Sequence, residues 1–247
     1  MLKSIVYLPF SSDPLNLVGP RTRVLRSVAL AAALVFAAPL FSAAQFGPPA
    51  SIKVLDASPL KPPPGVRVAI FEFADLECPA CAAANPVLKQ AAAQYKIPWL
   101  RHDFLIPMHV WSPQAAVNAR WFDAQVKGLG DQYRDQVFAN QQYIETRADL
   151  DRFTAKFAQF CKLNLPFSVD PQNKLMDAVQ ADVALGKRVG IVKTPTIFIV
   201  VNTASGPRYF ESRDPDHDLY QTIDQAMAVA PPAPTKTAQK SANTAHK

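Results

Sequence analysis

The chain has 247 residues, of which 49% are hydrophobic and 19% are charged, and its formal net charge is +6. This is the composition of an ordinary globular protein with enough apolar residues for a sizeable core. The positive charge does not indicate nucleic-acid binding, because the surplus comes only from the two ends of the chain, where Asp13 offsets Lys3, Arg21, Arg23, Arg26, Lys236, Lys240 and Lys247.

The first 44 residues are typical of an export signal. Basic residues precede an uncharged run from Ser27 to Ala44, whose end, Ser42-Ala43-Ala44, supplies the small residues that a signal peptidase needs. An uncleaved membrane anchor through residues 27–44 is the alternative, because the run approaches the length of a spanning helix. In both cases we expect the domain in the periplasm or another extracytoplasmic space, where a disulfide can persist.

The rest of the chain predicts an α/β domain over residues 66–230. It follows a proline-rich approach segment at 45–65, with a short strand at Ser51–Leu55, and precedes a polar tail at 231–247 that we expect to be disordered. The predicted elements are, in chain order, strand Arg67–Phe73, helix Cys78–Tyr95, strand Ile97–Phe104, helices Ser112–Lys127, Leu129–Asn140, Arg147–Leu163 and Asp170–Leu185, strands Thr196–Val201 and Arg208–Glu211, and helix Asp216–Val229. This order predicts an α/β unit interrupted by an all-helical insertion at about 110–187.

The pair Cys78-Pro79-Ala80-Cys81 follows the first strand after a short acidic turn. Two thiols three positions apart at the start of a helix can close a small disulfide ring, and the helix dipole favours a thiolate there. Because the thiolate is the form that attacks disulfides, the pattern predicts redox chemistry. Half of a zinc site is the alternative, but such a site needs four ligands, and the remaining candidates have no paired spacing: Cys161, His102, His109, His217 and His246. We therefore expect no metal.

With these residues the chain resembles the DsbA-like class of thioredoxin-fold proteins, the exported dithiol oxidoreductases with a helical insertion. The resemblance covers about residues 66–229, and four local matches support it: Cys78-Pro79-Ala80-Cys81 with the C-P-x-C active site, Glu72 with the buried acid ending the preceding strand, Pro86 with the kink proline of the active-site helix, and Thr194-Pro195 with the cis-proline loop that faces the disulfide. It implies a thioredoxin fold with an all-helical insertion.

The helix positions predict that Cys78, nearer solvent, is the nucleophile and that Cys81, one turn further in, is the resolving thiol. Alternation places Glu72 on the buried side of its strand, where a carboxyl group has a raised pKa and can exchange a proton with Cys81. An acid pointing to water is the alternative. The resemblance implies that Pro195 is cis and leaves the Thr194 backbone free to bind an extended substrate, whereas an ordinary trans turn proline is the alternative.

Two departures from the class concern the redox potential. Strongly oxidising members carry His between Pro79 and the second cysteine, and this chain has Ala80. A charged imidazole there would favour the thiolate, and Ala80 cannot. Glu77, next to Cys78, also fails to favour the thiolate, since a nearby carboxylate disfavours an anionic sulfur. We therefore expect a less oxidising disulfide.

Two further residues are expected to be structural. Cys161 shares an apolar helix face with Phe153, Phe157 and Phe160, which predicts a packed and inert thiol. His109, next to a tryptophan near a helix start, is also expected to be structural.

The sequence thus predicts an exported, monomeric thiol:disulfide oxidoreductase without an organic cofactor, acting as a dithiol oxidase on cysteines of other exported proteins. The resemblance implies re-oxidation by a quinone-linked membrane partner. One alternative is a reductase with the same site, kept reduced by a membrane electron donor. The other is a non-enzymatic peptide-binding chaperone whose disulfide is structural.

Overall fold

The computed structural model describes residues 58–232. The predicted export signal, the strand at Ser51–Leu55 and nearly all of the predicted tail lie outside these residues. The elements are β1 Val68–Ala74, α1 Pro79–Tyr95, β2 Trp99–Asp103, α2 Ser112–Gln125, α3 Leu129–Asn140, α4 Arg147–Phe160, α5 Lys174–Val189, β3 Thr196–Thr203, β4 Gly206–Ser212 and α6 Pro215–Val229, with one turn of 3-10 helix at Gln141–Tyr143.

The four strands form one sheet in the order β2-β1-β3-β4. β1 pairs parallel with β2 and antiparallel with β3, and β4 continues the sheet antiparallel to β3. A parallel pair needs a crossover connection, which α1 supplies. β1 and β3 are the two central strands. Apart from Glu72, the residues of β1 are apolar on both faces, because helices cover both faces of the sheet.

Helices cover both faces of the sheet. Val68 and Ile70 of β1 and Ile199 of β3 pack against α1 and α6 on one face. Phe71 and Phe73 pack on the other face with Phe104, which follows β2, and with Val189 and Ile191 at and after the end of α5. The two faces thus share β1, the strand that leads into the cysteine pair.

The helical insertion, α2 to α5, lies between β2 and β3 in the chain and has an apolar core of its own. Its largest fully buried side chains are Trp111, Phe122 and Tyr133, and Cys78 and Cys81 belong to the same cluster. The cysteine pair therefore lies where the sheet meets the insertion. No helix within residues 58–232 has the length and hydropathy needed to cross a membrane.

One predicted helix start is wrong. We expected Asp170 to begin a helix at Pro171, but α5 begins at Lys174. Asn173 has a left-handed backbone with φ 56°, which an α-helix cannot contain, and the Asp170 carboxylate instead accepts the N–H of Met176. Asp170 therefore still accepts a hydrogen bond from the first turn of α5, although it lies four residues before the helix begins.

Candidate active site

The cysteine pair lies at the start of α1 as the sequence predicts. Cys78 is the residue before the helix, with φ −84° and ψ 119°, and Pro79 takes the first helical position, where its missing N–H costs no hydrogen bond. Cys78 is 8% exposed and Cys81 is 0% exposed, and both are free thiols in the structure. Pro79 and Ala80 are exposed.

The surroundings of the two sulfurs set their pKa values far apart. A hydrogen bond from the Cys81 thiol is the largest cause that lowers the Cys78 pKa to about 5; burial opposes it, and smaller contributions come from Thr194 and from the N–H groups of Cys81 and Ala80. Burial, followed by the hydrogen bond and charge of Cys78, raises the pKa of Cys81. Cys78 is thus a thiolate at neutral pH and Cys81 a thiol, which favours Cys78 as the attacking sulfur.

The Thr194–Pro195 loop lies beside Cys78. The peptide bond between the two residues is cis, as the resemblance implies. Cys78 Sγ lies 3.5 Å from the Thr194 carbonyl oxygen. Residues 194 and 195 directly precede β3, whose Thr196 is opposite Phe73 of β1, so the loop and the cysteine turn occupy the same end of the sheet.

Glu72 is buried, as alternation predicts. Burial raises its pKa from 4.5 to about 7, although the positive charge of Arg101 and a hydrogen bond from Trp99 lower it. Its negative charge contributes to the raised pKa of Cys81, so the two groups interact electrostatically. A carboxyl group that titrates near pH 7 can both donate and accept a proton.

Asp75, in the acidic turn before the cysteine pair, has contacts that were not predicted from the sequence. Asp75 is buried; its Oδ1 accepts the N–H of Glu77 at 2.8 Å and its Oδ2 accepts the N–H of Ile106 at 2.7 Å. His109 Nδ1 lies 3.0 Å from Asp75 Oδ1. A short acid directly after a strand and before a helix is a turn signal, and this signal could have identified Asp75.

The Glu77 carboxylate points to the insertion. Its Oε2 accepts the backbone N–H groups of Trp111, at 2.7 Å, and Ser112, at 3.0 Å, where α2 begins. A carboxylate at a helix N-terminus satisfies free donors and interacts favourably with the helix dipole. The effect of Glu77 on the redox potential stays a prediction.

Two further titratable candidates are Cys161 and His102. Burial raises the pKa of Cys161, which packs against the core of the insertion, as Phe153 and Phe157 do. Phe160, which we placed on the same apolar face, is largely exposed. His102 pairs with Asp182 at 2.9 Å. Within residues 58–232 no group of three or more Cys, His, Asp or Glu side chains has the geometry to hold a metal ion.

Comparisons with known proteins concern the fold and the family of the chain. A family model described as Thioredoxin matches residues 64–213. Among solved structures, a variant of alpha-DsbA1 from Wolbachia pipientis has 17% identity and a TM-score of 0.54, covering 67% of this chain and 88% of its own. DsbA2 from Pseudomonas aeruginosa has 19% identity and a TM-score of 0.51, and the match covers 66% of this chain and 88% of DsbA2. A periplasmic thioredoxin-like protein from Salmonella enterica serovar Typhimurium has 17% identity and a TM-score of 0.53, and the match covers 67% of this chain and 87% of that protein.

At these identities the solved structures establish the fold, and the family model establishes the family. A search of curated protein sequences finds no match. The chain belongs to the thioredoxin family, and its fold is similar to that of the DsbA structures.

Proposed function

We propose that the protein is an exported thiol:disulfide oxidoreductase that works as a dithiol oxidase. The observation that carries this proposal is the lowered pKa of Cys78, about 5, in a sulfur that lies 3.5 Å from the Thr194 carbonyl oxygen. A stabilised thiolate favours the reduced form of the pair, and a pair that is stable when reduced is a good oxidant when it is a disulfide. This favours the oxidase over the reductase.

The reaction transfers two electrons from a client dithiol to the Cys78–Cys81 disulfide. A client thiolate attacks Cys78 Sγ, the bond between the two enzyme sulfurs breaks, and its electron pair goes to Cys81 Sγ. Cys81, whose pKa is raised, then takes a proton that we assign to Glu72. The second client thiolate attacks the client sulfur of the mixed disulfide, and Cys78 leaves as a thiolate.

Exposed apolar side chains are available to a client near this site. Met108 is 81% exposed and Val110 is 67% exposed, in the loop that Asp75 and Glu77 hold against the cysteine turn. Val192, 77% exposed, precedes Thr194 by two residues. We propose that unfolded, apolar client segments dock here, with their backbone against Thr194.

The proposed clients are cysteine-containing proteins exported through the same route, and a quinone-linked membrane partner re-oxidises the pair. The export signal predicted within residues 1–44 supports an extracytoplasmic location, as does the periplasmic thioredoxin-like protein among the similar structures. The protein acts as a monomer in this proposal.

Trapping of mixed disulfides tests the assignment of the two cysteines. Cys81→Ala, incubated with a reduced, unfolded client protein and an oxidant, is expected to accumulate a disulfide between Cys78 and the client, because no resolving thiol remains. Cys78→Ala is expected to trap none. Cys161→Ala, which removes the third thiol, serves as the matched control and should behave as the unaltered protein. Equal trapping by Cys78→Ala and Cys81→Ala would contradict the assignment.

The redox state of the pair in rapidly quenched cells separates the three functions. An oxidised pair indicates the oxidase, and a reduced pair indicates the reductase, which the absence of His at position 80 favours. A pair that does not equilibrate with glutathione buffers indicates the chaperone with a structural disulfide. The mass added by a thiol-alkylating reagent reports the oxidised and reduced forms on a gel, both for quenched cells and for protein incubated in the glutathione buffers.

A further inference from the structure

Trp99, the first residue of the edge strand β2, makes a hydrogen bond to the buried acid. Its indole Nε1–H donates to Glu72 Oε2 at 2.9 Å, whereas Glu72 Oε1 has no hydrogen-bond partner within residues 58–232. One directed N–H donor fixes the orientation of a carboxyl group, and a donor stabilises the charged form relative to the neutral form. The indole therefore affects both the position and the proton affinity of Glu72.

The guanidinium group of Arg101 stacks on the indole ring of Trp99 and holds it in place. The guanidinium carbon of Arg101 lies 3.6 Å from the centroid of the Trp99 ring. The same guanidinium donates to Asn85 Oδ1 at 2.8 Å and to Asp135 Oδ1 at 2.7 Å, and the Arg101 side chain is only 9% exposed. A cation stacked on an indole and fixed by two further hydrogen bonds leaves the ring little freedom to turn.

Charged and titratable groups from three elements surround Glu72. They are Arg101 from β2, Arg134 and Asp135 from α3, and Cys81 from α1; His102 and Asp103 line the same small cavity as Glu72. The positive charges and the indole N–H favour the carboxylate, while burial and the negative charges favour the acid. The indole is the one neutral donor in this set, and it acts by direct contact.

We propose that Trp99 is a positioning residue for thiol–disulfide exchange, whose indole N–H orients the Glu72 carboxylate and favours its charged form. The inference rests on the proposed function, because it takes Cys81 as the thiol that Glu72 serves. When Cys81 leaves as a thiolate, Glu72 gives it a proton and becomes a carboxylate hydrogen-bonded to Trp99. When the pair is oxidised again, the Cys81 proton returns to Glu72.

Trp99→Phe removes the N–H and keeps an aromatic ring for Arg101. In the full chain, reduced and labelled with ¹³C at glutamate carboxyl carbons, the Glu72 signal is assigned as the one missing from Glu72→Gln. We expect its titration midpoint to rise by about one pH unit in Trp99→Phe, because a hydrogen bond to a charged group is lost. Trp121→Phe, a substitution of a tryptophan in α2, is the matched control and should leave the midpoint unchanged. An unchanged midpoint in Trp99→Phe overturns the inference.

A second variant and a second measurement keep the result interpretable. Arg101→Gln keeps the indole but removes the stacked cation, whose charge also lowers the Glu72 pKa directly, so the Glu72 midpoint is expected to rise in this variant too. An unchanged midpoint there contradicts the contribution of Arg101. The pH profile of client oxidation should shift in Trp99→Phe by the same amount as the Glu72 titration. A third outcome separates this inference from the proposed function. If the Glu72 midpoint shifts in Trp99→Phe but Glu72→Gln leaves the pH profile of client oxidation unchanged, the proposed role of Glu72 is wrong. The effect of Trp99 on Glu72 would still stand.

Discussion

The Oε2 atom of Glu77 lies 2.7 Å from the backbone nitrogen of Trp111 and accepts its N–H. The residue directly before the nucleophilic cysteine therefore forms part of the start of helix α2. This contact joins the cysteine turn to the helical insertion, although 34 positions separate the two residues in the chain.

Glu77→Ala is expected to lower the free energy of unfolding by about 1–3 kcal/mol, because it leaves two buried backbone N–H groups without an acceptor. Urea unfolding followed by circular dichroism measures the change. Glu145→Ala, at an exposed glutamate before α4, is the matched control and should have little effect. An equal loss in both variants would show that the α2 start does not depend on Glu77.

The pKa of Cys78 predicts the pH dependence of alkylation. Because hydrogen bonds, that of Cys81 first, lower it to about 5, the rate with iodoacetamide should reach half its plateau near pH 5. Cys161, whose pKa is raised by burial, serves as the control within the same molecule and should react only in alkaline solution. A Cys78 midpoint in the range of an ordinary thiol would refute the thiolate.

The same shift predicts how pH affects the stability of the reduced protein. The folded pKa of Cys78, about 5, is below its ordinary value of 9.0, so the folded thiolate contributes stability that is complete above pH 9. This contribution is lost progressively as the pH falls from 9 to 5. The difference in unfolding free energy between the dithiol and disulfide forms should follow this window, since the disulfide has no such titration. A pH-independent difference would contradict it.

Glu72→Gln is expected to stabilise the protein at alkaline pH and to slow client oxidation. Burial raises the Glu72 pKa from 4.5 to about 7, so the charged carboxylate destabilises the fold progressively as the pH rises through this range. The gain in unfolding free energy should be absent below pH 4.5 and on the order of 3 kcal/mol above pH 7. Urea unfolding at pH 4 and pH 8 measures it. Equal effects at both pH values would count against a buried, titrating Glu72.

The disulfide is expected to be less oxidising than about −120 mV, the value of the strongly oxidising prototype, because Ala80 supplies no charged imidazole near Cys78. Equilibration with glutathione gives the potential. Ala80→His should raise it, since position 80 is exposed and its N–H already contributes to the Cys78 thiolate. Ala93→His, at an exposed position far along α1, should not. A potential at or above the prototype's would contradict the argument.

Gly130→Ala is expected to destabilise the insertion by about 1–3 kcal/mol, although alanine is the better helix former. A Cβ at Gly130 would lie 2.4 Å from the carbonyl oxygen of Ala119, so the backbones of α2 and α3 would have to separate. Ala148→Gly, exposed on α4, measures the effect of helix propensity alone in the same protein. A more stable Gly130→Ala variant would disprove the close approach.

The sequence predicts the parts of the site that depend on neighbours along the chain. The cysteine pair at a helix start, the burial of Glu72 and the bounds of helix Leu129–Asn140 follow from local patterns, and the structure has them at the predicted positions. The predicted start of α5 is wrong because Asp170 accepts a backbone hydrogen bond of the first turn, from Met176, although it lies four residues before the helix begins.

Contacts between distant residues could not be predicted in this way. Trp99 reaches Glu72 only because β1 and β2 pair parallel in a register that places Arg101 opposite Glu72, and a single sequence does not give that register. From the sequence, Glu77 is expected only to disfavour the thiolate of its neighbour Cys78. In the structure its carboxylate accepts two backbone hydrogen bonds at the start of α2. The exposure of Phe160 shows the same limit, since an apolar helix face predicts burial only where another element covers it.

The insertion lies between the two halves of the site, and this position has a consequence for biosynthesis. Cys78 and Thr194 are in contact although 116 positions separate them, and all four helices of the insertion are made in between. At typical synthesis rates, Thr194 follows Cys78 after a delay on the order of ten seconds. During that interval the growing chain carries both cysteines without the loop that faces them. Cys78 acquires its Thr194 contacts only when β3 has paired with β1, so an incomplete chain exposes a less activated thiol than the finished protein.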